Sequence, residues 1–358
     1  MNQIKRIGVL TSGGDCAGLN AIISAVVEAA EKKGWEVYGI NDGTEGITEK
    51  PHRYEVLTIK NFSDTPWPRL SGSYLGSLNK GLRIESLEDV SKRFAIGVKE
   101  LGLDAIVVIG GDGSMNIVSN MSKGSLVKIV GIPKTIDNDT PITEFSVGFQ
   151  TAVQYCTTSI DSLELTARSH NRAMITEVMG RDAGHLALHS ALAGKADVCL
   201  IPEIPYDIDK IVDAIEKRDK KGSRFTILAV AEGAISKEDA KLSKKELKEK
   251  QAKSKYPSVS YEIADKILKK TGKEVRVTVP GHTQRGGSPC PYDRVFASRL
   301  GAEAGKLILK GEYGFMVGYK NREVVKVPLD EVAGKLKMVD PKSSIVKEAK
   351  MLGISFGD

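Results

Sequence analysis

The sequence predicts a doubly wound α/β fold in two lobes, each with a mainly parallel sheet. Short runs rich in Val and Ile recur along the chain, segments of helical spacing separate them, and 358 residues are enough for two domains. A hydrophobic content of 41% with 27% charged residues lies in the ordinary globular range. That excludes a collagen-like, mucin-like or wholly disordered chain.

The first run, IGVL at 7–10, follows directly on the amino terminus, with no signal-peptide pattern before it, so a cytosolic location is expected. The stretch 18–33 has one apolar stripe of Leu19, Ile22, Ile23, Val26, Val27 and Ala30, and predicts a helix. AIVVIG at 105–110, VKIVGI at 127–132, MITEV at 174–178 and FTILAV at 225–230 are apolar on both faces, as strands of a covered parallel sheet are. The series restarts after about residue 150, which predicts two lobes with a ligand cleft between them; the expected bounds are 1–148 with 284–334 and 149–283 with 335–358, with the active site in that cleft. A Lys-rich insertion at about 236–258 interrupts the second lobe, and the carboxyl-terminal stretch predicts a last amphipathic helix.

The formal charge of +6 does not indicate nucleic acid. Residues 237–255 hold eight Lys against four acidic residues and no aromatic for base stacking, as expected of a solvated helix. No window is long and apolar enough to span a membrane. Cys16, Cys156, Cys199 and Cys290 are scattered without metal or disulfide spacing, and read as reduced thiols.

Two strands end in glycine-rich turns that open helices, LTSGGDCAGLN at 10–20 and the turn carrying Gly111, Asp112, Gly113 and Ser114. A missing Cβ lets backbone N–H groups close on a phosphate, and a helix N-terminus favours its charge. Asp112 is the candidate Mg²⁺ ligand, the alternative being a helix cap. The motif leaves the phosphoryl acceptor open. PKTIDNDTP at 133–141 then supplies Lys134, Thr135, Ile136, Asp137, Asn138 and Asp139. A carboxylate that accepts the proton of an attacking hydroxyl suits Asp137, and Asp139 is a second acid able to help hold a metal. An Asx turn is the plainer reading of the same residues.

Four arginines stand beside glycine, histidine or polar residues: Arg172, Arg181, Arg276 and Arg285. Their planar forks fit phosphate oxygens, so together with His282, Thr283 and Gln284 they predict a sugar-phosphate pocket. His185 and His189 have the spacing of helical metal ligands but lack an accompanying glutamate, and read as packing residues.

TSGGD, GGDGS, PKTIDND, MGR and GHTQRGGSP occur in that order, and together the chain resembles the phosphofructokinase family over nearly its whole length. The resemblance implies Mg²⁺-dependent phosphoryl transfer to the 1-hydroxyl of fructose 6-phosphate. It assigns the donor to Gly14 and the GGDGS turn, and the sugar to Thr135, Asp137, Met179, Gly180, Arg181 and Glu232. Thr135, Asp137, Asp139 and Arg181 become the candidate catalytic residues, and Arg172, Arg276, His282 and Arg285 hold the sugar phosphate. In the family, matches to Arg172 and Arg276 reach across a subunit boundary, which implies a homo-oligomer, dimer or tetramer. The first lobe is then the donor-binding lobe and the second the sugar-phosphate lobe.

Gly113 leaves room for a nucleotide's α-phosphate and favours ATP over pyrophosphate as donor, whereas Lys134 is the family's pyrophosphate-type residue. Asn79 stands where bacterial members have a bridging arginine; Lys80 and Arg83 are the neighbouring cations that could supply the lost charge, and turnover suffers if neither does. Ser24 and Glu164 stand where allosteric bacterial members have effector-binding arginines, so regulation of that kind is not expected. A pyrophosphate-dependent enzyme and a catalytically silent sugar-phosphate-binding regulatory protein stay open as alternatives.

Overall fold

A computed structural model describes residues 6–77, 87–125 and 127–358. The chain forms two compact units: one takes the residues up to Thr151 with Arg285–Lys337, the other Ala152–Gln284 with Met338–Asp358. Each has its own mainly parallel sheet.

The first unit contains β1 (Arg6–Thr11), β2 (Glu36–Ile40), β3 (Tyr54–Leu57), β4 (Ala105–Gly110) and β5 (Ile129–Pro133). The second contains β6 (Ala173–Val178), β7 (Val198–Leu200), β8 (Thr226–Ala231) and β9 (Val275–Thr278); the chain then returns to the first for β10 (Phe315–Lys320) and β11 (Glu323–Pro328). The first sheet has the order β11-β10-β5-β4-β1-β2-β3, with only the edge strands β3 and β11 antiparallel to their neighbours. The second is wholly parallel in the order β7-β8-β6-β9.

Strands β4, β6 and β8 are buried at every position, because helices cover both faces and alternation is lost. In the first unit Leu10, Ile106 and Val108 share one core with Val90 and Phe94 of the helix Leu87–Glu100 and Met115 and Val118 of the helix Asp112–Ser125. Each such side chain contributes about 1.5–3 kcal/mol by leaving water. In the second, Ile175, Leu228 and Val230 pack with Ile211 and Ile215 of the helix Ile208–Lys220 and Ile263 and Ile267 of the helix Val259–Thr271.

The predicted helix at 18–33 runs over Leu19–Glu31; it starts after Gly18, whose φ of 100° is outside the helical region. Val127 and Lys128 precede β5 instead of joining it. Part of the Lys-rich stretch forms the helix Lys244–Ala252, closed by a Ser243/Glu246 capping box and with no buried residue. The last helix is Ser344–Met351. Cys16, Cys156 and Cys199 are buried and Cys290 half-buried, all four as free thiols. Burial pushes the Cys16 and Cys156 thiols up to about 12, which leaves them inert. Among the described residues no helix is long and apolar enough to cross a membrane.

Both sheets reverse their strand order at one strand. β1 has β2 on one side and β4 on the other, and β6 has β8 on one side and β9 on the other. In parallel sheets such reversals open crevices at the carboxyl ends of the strands, where ligands bind.

Candidate active site

In the first unit the three predicted motifs hang from the carboxyl ends of three adjacent parallel strands. The loop at 12–15 follows β1, the Gly111–Ser114 turn follows β4, and Lys134–Asp139 follows β5. Gly110, the last residue of β4, is glycine by close approach: a Cβ there would lie 2.4 Å from the Ser114 Cβ. The helix begins at Asp112 itself, two residues earlier than a cap at Asp112 for a start near Ser114 would require.

The loop at 12–15 is held by its carbonyls. Lys134 Nζ donates to the Ser12 carbonyl at 3.0 Å and to that of Gly14, Ser77 Oγ donates to the Gly13 carbonyl, and Arg285 Nη1 donates to the Asp15 carbonyl at 3.0 Å. Ser114 Oγ reaches Ser12 Oγ at 3.0 Å and ties the first turn to the second. A trans peptide plane points its N–H opposite to its C=O. Each N–H of Gly13, Gly14, Asp15 and Cys16 therefore points away from the group that holds the carbonyl of its peptide plane, and the planes of the loop are fixed. Lys134 is buried, and burial pulls its pKa below the usual lysine range; the carbonyls it donates to offset that cost.

The acid-bearing loop is equally fixed. Asn138 has φ 52° and is buried; its amide donates to the Glu144 carbonyl at 3.1 Å and accepts from the Ser146 N–H at 3.0 Å. Its neighbours Asp137 and Asp139 are half-buried, and the Asp137 N–H donates to Thr135 Oγ1 at 3.2 Å. Lys337 clasps the same loop, with its N–H on the Asp139 carbonyl at 2.7 Å and Nζ on the carbonyls of Thr143 (2.8 Å) and Glu144 (3.1 Å). Burial pulls Lys337 down to about 8. Burial first, and the Asp137 and Asp112 carboxylates next, push the Asp139 carboxyl up to about 6, against hydrogen bonds that favour its charge.

These residues fit a magnesium ion. Asp139 Oδ1 is buried without a hydrogen-bond partner among the described residues, beside two further carboxylates whose repulsion a divalent cation would relieve. Among the described residues no three acids, cysteines or histidines gather closely enough to hold a metal unaided. Mg²⁺ commonly needs only one or two carboxylates, with substrate phosphates completing its shell.

The second unit repeats the plan. Met179, Gly180 and Arg181 follow β6, Glu232 follows β8, and His282 lies beyond β9, at the carboxyl ends of three adjacent parallel strands. The Glu232 N–H donates to the Val178 carbonyl at 2.9 Å, and Gly233 is glycine because a Cβ would lie 1.9 Å from the Arg181 carbonyl. Glu203 takes the Gly184 N–H at 2.9 Å and the Val339 N–H at 2.8 Å, which anchors the far end of the Met179–Gly184 loop. Arg181, Glu232 and His282 are exposed.

The structure does not gather the predicted arginines into one pocket. Arg172 precedes β6, and Arg276 pairs in register with Met174, so both sit at the amino end of the second sheet. Met179 is five residues beyond Met174, roughly 16 Å along the strand. Both guanidiniums are ion-paired to one carboxylate, Glu274. Arg285 belongs to the first unit, against the loop at 12–15. Gln284 is buried: Oε1 accepts from the Met179 N–H at 2.9 Å and Nε2 donates to the Gly281 carbonyl at 3.1 Å, so it orders the Met179 loop from beneath. The Thr283 hydroxyl donates to the Pro280 carbonyl at 2.6 Å. Ile136 is buried at 1% exposure, which leaves only its backbone for a ligand. His185 and His189 are half-buried in one helix, with His189 Nδ1 on the His185 carbonyl at 2.8 Å. Asn79, Lys80 and Arg83 lie outside the described residues.

Sequence reasoning missed Lys337, Glu203 and Glu274. Each is a lone charged residue outside any motif, and its role exists only through long-range contacts. Glu274 had one local signal, its position two residues before Arg276 in an extended stretch that enters β9, which puts both side chains on one face.

Residues 6–308 match the family model described as Phosphofructokinase. ATP-dependent 6-phosphofructokinase 1 of Nostoc sp. is 44% identical over 364 residues, covering 100% of both chains. ATP-dependent 6-phosphofructokinase of Chloroflexus aurantiacus is 44% identical over 99% of this chain and 98% of its own. Among solved structures, Pichia pastoris phosphofructokinase in the T-state superposes with a TM-score of 0.81 at 29% identity, covering 93% of this chain and 36% of the Pichia chain.

Proposed function

The chain belongs to the phosphofructokinase family, and on that premise we infer that it is an ATP-dependent 6-phosphofructokinase, a phosphotransferase with an alcohol acceptor. It transfers the terminal phosphoryl group of ATP to the 1-hydroxyl of fructose 6-phosphate. The observation that carries the chemistry is the set of carboxylates Asp112, Asp137 and Asp139 on two adjacent strand ends, beside a glycine loop with pinned carbonyls.

The N–H groups of the loop at 12–15 and of Gly111–Ser114 bind the polyphosphate, with the helix N-terminus at Asp112 favouring its charge. Asp137 accepts the proton of the sugar hydroxyl as its oxygen forms the new P–O bond. The bond from the γ-phosphorus to the bridging oxygen breaks, ADP leaves, and Asp137 ends protonated. Asp112 and Asp139 would hold Mg²⁺, which when bound neutralises charge on the phosphate oxygens. Thr135 orders the Asp137 backbone. Arg181 supplies positive charge toward the transferring group, and Met179, Gly180, Glu232, His282 and Thr283 shape the sugar site, with Gln284 beneath them.

Gly113 supports ATP over pyrophosphate, because it is exposed with nothing within 4 Å of a Cβ. Lys134 does not oppose this reading, since its ammonium is engaged by the loop carbonyls. The separation of Arg172 and Arg276 from Met179 along the second sheet supports a homo-oligomer, in which one copy's arginine pair completes the sugar-phosphate site of another. A coupled assay on fructose 6-phosphate with Mg²⁺ tests the whole reading. ATP should yield fructose 1,6-bisphosphate and ADP, and turnover with pyrophosphate but not ATP would overturn the donor assignment.

A further inference from the structure

We propose that Glu274 is a positioning residue that sets the guanidinium forks of Arg172 and Arg276 as one two-armed clamp for the phosphate of the sugar substrate. The inference rests on the reading of those arginines as sugar-phosphate ligands and adds the group that orders them.

Strands β6 and β9 run parallel, with Ala173 opposite Val275, and the Ala173 N–H donates to the Glu274 carbonyl at 3.1 Å. Arg172 and Glu274 are therefore side by side just before the amino ends of neighbouring strands, and Arg276 is two residues on from Glu274, the second residue of β9. Period-two alternation puts Glu274 and Arg276 on one face. The carboxylate divides itself between the forks: Oε2 takes Arg172 Nε and Oε1 takes Arg276 Nη2. Each guanidinium has five donors and, among the described residues, gives one, so N–H groups on both forks remain for an anion. Two arginines bridged in this way need not lose their rotamer freedom when phosphate arrives.

Stability does not explain the arrangement. Side-chain exposures of 28% for Arg172, 43% for Glu274 and 60% for Arg276 put the triad within reach of water, where ion pairs contribute little to folding. Removing the carboxylate should therefore leave the fold intact, and its effect can be read in binding. A competing role is physically possible: the same carboxylate, held against the forks, would repel phosphate and weaken binding. The two roles predict opposite signs.

The test is steady-state kinetics of Glu274→Gln, Glu274→Asp and Arg276→Ala in the full assembled protein. Immobilising a flexible side chain on binding corresponds to a factor of roughly 2–12 in affinity. Glu274→Gln should thus raise KM for fructose 6-phosphate about fivefold or more, with kcat and KM for ATP little changed. Glu274→Asp, one methylene short and able to hold one fork only, should fall between. A KM that stays put or drops overturns the proposal, as does a rise that merely tracks loss of assembly by light scattering at assay concentration. Arg276→Ala separates the layers: if it leaves KM for fructose 6-phosphate unchanged, the assignment of the arginines fails. If it raises KM while Glu274→Gln does not, only the role of Glu274 fails.

Discussion

In the first unit the loops after β1, β4 and β5 are closed in by the protein itself: a buried lysine, an arginine and a serine hold the carbonyls at 12–15, and a second lysine clasps the acid loop. In the second unit the loops after β6, β8 and β9 end on exposed side chains, Arg181, Glu232 and His282, and Gln284 and Glu203 hold the Met179–Gly184 loop by its backbone N–H groups. Sheet topology is alike in both, and what differs is which atoms are offered to the ligand. A backbone nest works only if its peptide planes are fixed beforehand, since N–H groups have no rotamers with which to adapt. Charged side chains can be ordered by the ligand as it arrives. On the proposed function, the first unit is preorganised for polyphosphate and chemistry, and the second for recognition.

The sharpest way to break this comparison is to remove the proton acceptor. Asp137→Asn keeps the size of the side chain and its place in the loop but cannot take the hydroxyl proton. It should lower kcat by about 10²–10⁴ while KM for fructose 6-phosphate changes by no more than about twofold. A variant that loses sugar-phosphate affinity with kcat preserved would assign recognition to the first unit and dissolve the contrast.

Gly113→Asp probes the nucleotide with less force. The position is exposed, and a Cβ there would meet nothing within 4 Å, so the fold should tolerate the change with its Tm intact. A like charge near 4 Å from a phosphate costs about 1 kcal/mol in the water limit that suits an exposed position, which sets the expected rise in KM for ATP at roughly fivefold or more. Kinetics with ATP as varied substrate would check it, and an unaltered KM for ATP would remove Gly113 from the donor argument.

The strand runs and the glycine-rich turns were legible in the sequence because they are local: apolar runs on both faces, and turns whose sterics exclude a side chain. Asp112, Asp137 and Asp139 were legible for a similar reason, being acids placed where strands end. The separation of the arginines within one chain was not legible, because adjacency to glycine says nothing about which end of a sheet a residue occupies. Arg172 precedes β6 and Arg276 is the second residue of β9, whereas Met179 follows β6. One Arg285 donor, Nη1, holds the Asp15 carbonyl, 270 positions away in sequence. Contacts of that range leave no periodic or local mark, and the same holds for Lys337 and Glu203.

The mildest effect expected is thermodynamic, and it asks whether preorganisation in the first unit has a measurable cost. The Asp139 carboxyl titrates at about 6 in the fold, above its ordinary 3.8, mainly because it is buried. A pKa raised by folding means that the folded state binds more protons than the unfolded one between those values. Stability must then fall as pH rises from about 4 to about 6, and the charged carboxylate remains a burden at neutral pH. Asp139→Asn removes the charge and keeps the shape, so it should raise Tm at pH about 7.5 on the order of 2–4 °C while lowering kcat. At pH about 5 the native side chain is largely protonated, and the gain should shrink. Calorimetry at the two pH values decides it: a gain equal at both, or larger in acid, would show that Asp139 is not strained by its burial and that the first unit's order comes without that cost.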